Sequence, residues 1–248
     1  GTISAAALIQ DRKVLRYIGK KYITARREMG FLVPSKGYEY ATIKGHKCAI
    51  IVGDDLSRER DFDQSVETVI SINARKYGKG TMTYRYEMMR NLAFVESKNL
   101  VLVNQVGGST DIVYDGTSGA LNSRGELVLM MKNFEEDFQI FDTKASARPI
   151  TIPSTYNDRT RLVYEAARCG LRDFFRKNGY RKASIGLSGG IDSAVVASIA
   201  ADALGAENVR ALLMPSPFSS LESVEDAKEL ARNLGIEYNV IPISEIYT

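Results

Sequence analysis

Metal ligands, disulfides and membrane spans are all scarce in this sequence. It has two cysteines and one histidine in 248 residues. Cys48 and Cys169 lie far apart, and neither has a cysteine or histidine at metal-ligand spacing. That excludes a disulfide framework or zinc ribbon and points to a reducing, cytoplasmic setting. His46 falls in the polar stretch Lys44-Gly45-His46-Lys47 and is expected at the exposed surface, without a catalytic duty. Prolines number six and are scattered, so no long disordered linker is expected. No run of about 18 apolar residues is present, which excludes a spanning helix. Gly1 to Leu15 lacks the basic flank, apolar core and cleavage site of a secretion signal. The 33 basic and 30 acidic residues leave a net charge of +3 and are interspersed. There is thus no basic stripe for nucleic acid and no charged tail.

Against these absences, 44% hydrophobic and 25% charged residues are the make-up of a globular chain. The length suits one large or two ordinary domains. The most informative stretch is Ser184-Ile185-Gly186-Leu187-Ser188-Gly189-Gly190-Ile191-Asp192-Ser193, followed by the helical Ala194-Val195-Val196-Ala197. It reads as a strand, a glycine-rich turn and a helix N-terminus. Gly189 and Gly190 allow a tight turn and close approach of a ligand, while the unpaired N–H groups opening the helix favour an anion. Ser188 and Ser193 can donate to phosphate oxygens. Asp192 would repel a bare phosphate, and is explained if Mg²⁺ lies between them. The Gly-Lys-Ser/Thr ending of a Walker A loop is absent. A strand-to-helix turn without a ligand is the plainer alternative.

Along the chain, Ala6–Gln10 and Val14–Ile18 suggest a hairpin around Asp11-Arg12-Lys13. Tyr40–Ile43 and Cys48–Val52 flank a further turn. Asp63 to Val69 has helical spacing, and Val69–Asn73 that of a buried strand. Tyr84 to Ser97 reads as a helix with Met88, Met89, Leu92, Ala93 and Val95 on its apolar side. Leu100–Asn104 is an apolar strand. Gly107-Gly108 and Asp115-Gly116 signal turns before β segments at Gly119–Asn122, Leu127–Met131 and Phe138–Phe141. Together they predict a sheet with one helical face. From Lys144 to Ser154 small residues and prolines suggest a linker. Thr160 to Asn178 is an amphipathic helix with Val163, Ala166, Ala167, Gly170, Leu171, Phe174 and Phe175 on its stripe, and Cys169 beside it. Then come strands at Ala183–Leu187, Val209–Met214 and Glu237–Ile243, alternating with helices at Ile191–Leu204 and Leu221–Leu234. That alternation predicts a parallel sheet with ligands at the strands' carboxyl ends.

The Ser188–Ser193 loop, Ser-Gly-Gly-Ile-Asp-Ser, resembles the pyrophosphatase-type loop of ATP-dependent amidating and thiolating enzymes. Earlier segments resemble the nitrilase-type amidase half of the glutamine-dependent NAD synthetase family. These are Val14 to Ile23 around Lys20, Ile50-Ile51-Val52-Gly53-Asp54-Asp55, Tyr84 to Arg90, Asn104-Gln105-Val106-Gly107-Gly108, Tyr114 to Ser118 and Asn133 to Asp137. Near the carboxyl end, Leu230 to Ile236 looks like a helix end of the same family.

The resemblance implies an α/β chain: a partial nitrilase-like α/β sandwich at residues 1–146, a linker at 147–158, and a Rossmann-like parallel α/β ATP-binding domain at 159–248. It implies a piece of a longer enzyme, with the family's catalytic glutamate upstream of residue 1 and more synthetase domain beyond Thr248. Nitrilase-type amidases use a Glu, Lys, Cys triad. Lys20 matches the lysine, and Gly53 stands at the nucleophile's position. Cys48, five residues earlier, is expected to be a small buried apolar residue.

In the ATP site the resemblance implies Ser188, Gly189, Gly190, Asp192 and Ser193 around pyrophosphate, with Asp192 facing Mg²⁺. Leu213 and Met214 lie near the base, although a bare proline turn after a strand accounts for those two equally. The implied reaction amidates nicotinic acid adenine dinucleotide at the expense of ATP, with nitrogen from glutamine or ammonia, in a homo-oligomer. Another amidating synthetase with the same loop, or a nucleotide-binding pseudoenzyme fragment, are the alternatives.

Overall fold

The computed structural model describes residues 2–23, 29–37, 39–58, 62–143 and 148–243, with Glu39 and Asp54 described by their backbones alone. Lys144–Ala147 of the expected linker and 244–248 of the expected ATP-binding domain lie outside these residues. The chain divides into two compact units: Gly1–Gly107 with Tyr114–Asn157, and Gly108–Val113 with Asp158–Thr248.

The first unit opens with the hairpin β1 (Ala5–Gln10) and β2 (Lys13–Gly19). Its two-residue connection, Asp11-Arg12, has φ of 49° and 62°. Positive φ at both positions matches the twist of the flanking strands. Next come β3 (Glu39–Ile43), β4 (His46–Val52), a short 3₁₀ turn at Gly53–Ser57, β5 (Thr68–Asn73), helix α1 (Thr81–Glu96) and β6 (Asn99–Asn104). They are followed by β7 (Val106–Ser109), β8 (Ile112–Asp115), β9 (Gly119–Leu121) and β10 (Leu127–Met130). One sheet has the order β10-β9-β6-β5-β4-β3. Within it β4, β5 and β6 run parallel and the other pairs antiparallel. The alternating residues Ala49, Ile51, Val69, Leu100 and Leu102 turn one sheet face onto Tyr86, Met89, Leu92 and Ala93 of α1, a helical face of the kind the pattern predicts.

Several local expectations are corrected. Residues 63–67 form no helix. The Asp63 carboxylate instead accepts from the Ser65 N–H at 2.9 Å, a local turn that competes with helix formation. The buried side of α1 is Met82, Arg85, Tyr86, Met89, Leu92 and Ala93. Val95 faces outward, 59% exposed. Gly107 and Gly108 lie inside β7 and not in a turn. Phe138–Phe141 belongs to no strand. There the Asp137 carboxylate accepts from the N–H groups of Phe138 and Lys132, bending the segment locally. His46 opens β4, half-buried, and its Nδ1 lies 2.9 Å from the Glu67 carboxylate.

The second unit begins with α2 (Arg159–Asn178), capped by the Asp158 carboxylate on the Arg161 N–H and ended by Gly179 at φ 74°. Its buried positions are Leu162, Ala166, Cys169 and Asp173. The buried stripe is therefore rotated from the expected one: Val163 and Phe174 are exposed, and Cys169 lies at the stripe's centre. Strands β11 (Ala183–Gly186), β12 (Val209–Leu213) and β13 (Glu237–Val240) form a three-stranded parallel sheet in that order. Helices α3 (Ile191–Leu204) and α4 (Leu221–Leu234) are the crossovers. Alanines at 197, 200, 201, 211, 227 and 231 fill much of its core, and their small size lets helices and strands approach closely. Among the described residues no helix is long and apolar enough to cross a membrane.

Candidate functional site

Strand β11 ends against β12, where the Leu187 N–H donates to the Leu212 carbonyl at 3.0 Å. The chain then reverses through Gly189 at φ 80°. This glycine is required twice over. Its φ is left-handed, and a Cβ there would lie 2.2 Å from the Ser223 carbonyl oxygen. Gly190 has ordinary φ (−85°) and serves as the N-cap of α3.

The two serines fix the turn. Ser193 Oγ donates to the Gly190 carbonyl at 2.9 Å and accepts from the Ser188 N–H at 3.2 Å. The Ser188 and Ser193 hydroxyls lie 3.1 Å apart. Ser193 therefore braces the turn, while Ser188 is exposed at its edge. Asp192 sits in the first turn of α3 and is exposed. Above the carboxyl ends of β11 and β12 lies a cavity of about 290 Å³. Ser188, Leu213 and Met214 line it together, as do Gly186, Ser219 and Ser223. The sequence reading omitted the last three. The signal was there in the spacing of Ser216, Ser219, Ser220 and Ser223 after Pro215: Ser219 Oγ accepts from the Ser216 N–H at 2.9 Å, and Ser220 caps α4.

In the first unit, Lys20 closes the hairpin and is 6% exposed. Its backbone is anchored on both sides: its N–H donates to the Ser4 carbonyl at 2.7 Å, and its carbonyl accepts from the Ser35 N–H at 2.9 Å. The following N–H groups, of Lys21 and Tyr22, donate to the buried Asp55 carboxylate at 2.7 and 2.9 Å. Asp55 belongs to the same 3₁₀ turn as Gly53, so one carboxylate ties the segment after Lys20 to the turn that holds Gly53. Gly53 has φ 63°, and a Cβ there would meet Lys20 Cε at 3.4 Å and Nζ at 3.5 Å. Lys20 and Gly53 thus lie side by side, with no side chain at position 53. Cys48 lies on β4 away from Gly53, 5% exposed. Burial, and then the Glu67 charge, push its thiol pKa up, disfavouring the thiolate.

Residues 163–248 match the NAD synthase family model. The glutamine-dependent NAD(+) synthetase of Synechocystis is 36% identical over 98% of this chain and 47% of its own length. That of Aquifex aeolicus is 36% identical over 83% of this chain and 43% of its own. A solved glutamine-dependent NAD+ synthetase from Acinetobacter baumannii, in complex with adenosine diphosphate, superposes with a TM-score of 0.84 at 31% identity, covering 98% of this chain and 48% of that one. The chain spans about half the length of these relatives. With the segment order, the parallel sheet and these likenesses in agreement, residues 163–248 form an NAD synthase family domain, and the chain is similar over nearly all its length to glutamine-dependent NAD(+) synthetases.

Proposed function

We propose that this chain carries the ATP-binding part of an NAD synthetase that amidates nicotinic acid adenine dinucleotide. A carboxylate oxygen of that substrate attacks the α-phosphorus of ATP and pyrophosphate leaves. Ammonia then attacks the acyl adenylate, AMP departs with the bonding electron pair, and a proton is released. The observation that carries this reading is the cavity at the carboxyl ends of β11 and β12, bordered by a turn that only glycine at 189 permits. Its volume suits part of a nucleotide, being near the lower end for small-ligand pockets. The N–H groups opening α3 favour the phosphates. Leu213 and Met214 offer an apolar wall for the base. The relative solved with adenosine diphosphate supports the same ligand class.

Asp192 suits a magnesium ion arriving with the nucleotide. Among the described residues no group of three or more histidines, cysteines or acids gathers to hold a metal alone. Mg²⁺ typically takes one or two carboxylates and completes its shell with phosphates and water. When bound, it would neutralise the charge on the phosphates.

Gly53 favours free ammonia over glutamine as this chain's nitrogen source. Covalent attack on an amide needs a nucleophile that glycine lacks. Assembly as a homo-oligomer is part of the same proposal, read by light scattering.

The test is ATP–pyrophosphate exchange with nicotinic acid adenine dinucleotide present or withheld. Exchange that depends on that substrate and falls sharply in Asp192→Asn supports the reading. Exchange indifferent to the substrate points to another amidating synthetase. ADP binding without exchange under either condition would leave a nucleotide-binding pseudoenzyme.

A further inference from the structure

The second unit is discontinuous in sequence: it takes in Gly108–Val113, the tip of the β7–β8 hairpin. That tip is fastened to α2 through Gly108, Asp173 and Lys177. The Gly108 N–H donates to Asp173 Oδ2 at 2.8 Å, and Lys177 Nζ donates to the Gly108 carbonyl. One peptide residue is thus held through both its polar groups by side chains one helical turn apart. Asp173 is 3% exposed. Its other oxygen reaches only long contacts of 3.4 Å, to Arg172 and Arg176. The short bond to Gly108 is therefore this buried carboxylate's principal satisfaction.

Two glycines make the approach possible. A Cβ on Gly108 would lie 3.0 Å from Gly170 Cα, and one on Gly170 would lie 3.1 Å from Val113 Cγ2. Backbone lies on backbone, and neither glycine is in a turn. Gly108 sits in a strand and Gly170 in a helix, where glycine is otherwise unfavourable. Helix α2 packs in turn on α3, with Tyr164 Oη 2.5 Å from the Asp202 carboxylate, and Leu171 reaches the core around Leu187. The N-terminus of α3 is the Ser188–Ser193 turn.

We propose that Asp173 and Lys177 clamp the hairpin tip onto α2 and so position the Ser188–Ser193 turn for its ligand. Asp173 is a positioning residue that acts through two helices and touches no substrate. The link to ligand rests on the nucleotide reading of that turn; the mechanical link does not.

Hydrogen exchange on the nucleotide-free 248-residue chain tests it. Asp173→Ala is expected to speed exchange about tenfold or more both at 108–113 and at 187–193, while β4 to β6 keep their protection. Asp173→Asn, which retains an acceptor for the Gly108 N–H, stays near wild type. Faster exchange confined to 108–113, or no change at either place, would overturn the proposal. Should Asp173→Ala not fold, Lys177→Met removes the second prong from an exposed position and carries the same expectation. ADP titration of the wild-type chain is the separate control. Failure to bind would refute the nucleotide reading while leaving the exchange result to stand or fall alone.

Discussion

Lys20 Nζ lies 3.5 Å from where a Cβ on Gly53 would be, so a side chain at position 53 would enter directly against an ammonium group. A thiol there would be held as thiolate more readily than a free cysteine, because the neighbouring positive charge favours the ionised form. Gly53→Cys is therefore expected to alkylate with iodoacetamide faster than Cys48 or Cys169, whose pKa values are both raised, first of all by burial. The substitution also places an L side chain at φ 63°. It should cost about 1–3 kcal/mol of stability, the usual strain of a residue held in that region. Alkylation at 53 no faster than at Cys48, followed by mass spectrometry across pH, would show that Lys20 does not serve this position.

Gly189 and Gly190 are adjacent but carry different demands. A methyl on Gly189 would overlap the Ser223 carbonyl at 2.2 Å, whereas one on Gly190 meets only Ser188 Oγ at 3.4 Å. Gly189→Ala is expected to lower the melting temperature and abolish ADP binding. Gly190→Ala should lose only a weak N-cap preference, about 1 kcal/mol or less. Thermal melts and calorimetric titration of the pair decide it: equal losses would mean that the turn has no such asymmetry.

These two positions also show how far the sequence was legible. The boundaries of α3 and α4 follow from local signals: a glycine turn or a serine cap before each helix and a glycine after. The second unit alternates cleanly, because each crossover helix packs against the strands that flank it in the chain. Gly107-Gly108 misled for a physical reason. Glycine marks turns, but it also marks close backbone approach, and the partner Gly170 lies far along the chain. The rotated face of α2 has the same origin, since a buried Asp173 at the end of the stripe looks polar until its Gly108 partner is known. Around Gly53 the segment order was readable, but the Asp55 bonds to the Lys21 and Tyr22 N–H groups were not. No local pattern announces a carboxylate that serves backbone groups in another segment.

Tyr164 gives an alkaline signature for the α2–α3 packing. Burial, and then its bond to Asp202, push its hydroxyl pKa up from 10.0 to about 12. A phenol that holds its proton more tightly when folded contributes stability that is complete below the unfolded pKa. That stability is lost as pH rises through the folded one. Chemical denaturation at intervals from pH 9 to about 12 should therefore show a decline in the wild-type chain that is shallower in Tyr164→Phe. Identical slopes would remove this pair from the account of α2.

Arg85 and Asp115 form a buried ion pair in the first unit, 1% and 0% exposed at the side chain. Arg85 Nη2 donates to both carboxylate oxygens, at 2.9 and 3.1 Å, and Nη1 donates to the Gly116 carbonyl at 3.1 Å. Asn104 adds a bond to Asp115 Oδ1 at 2.9 Å. Burial pushes the Asp115 pKa up, and the Arg85 charge opposes that rise. Removing the arginine alone would leave a carboxylate with its desolvation penalty and without its counter-charge, a loss of about 3–5 kcal/mol. Arg85→Met should thus be among the most destabilising changes in the unit, although α1 accepts methionine readily. Its deficit should shrink on acidification, because a carboxyl whose folded pKa is raised gains a proton more readily in the folded state. The double variant Arg85→Met, Asp115→Leu should recover much of the loss by replacing the pair with apolar packing. Urea titrations of the single and double variants at neutral and mildly acidic pH measure this. A single-variant cost below about 1 kcal/mol, the range of an exposed pair, would mean that solvent reaches the carboxylate.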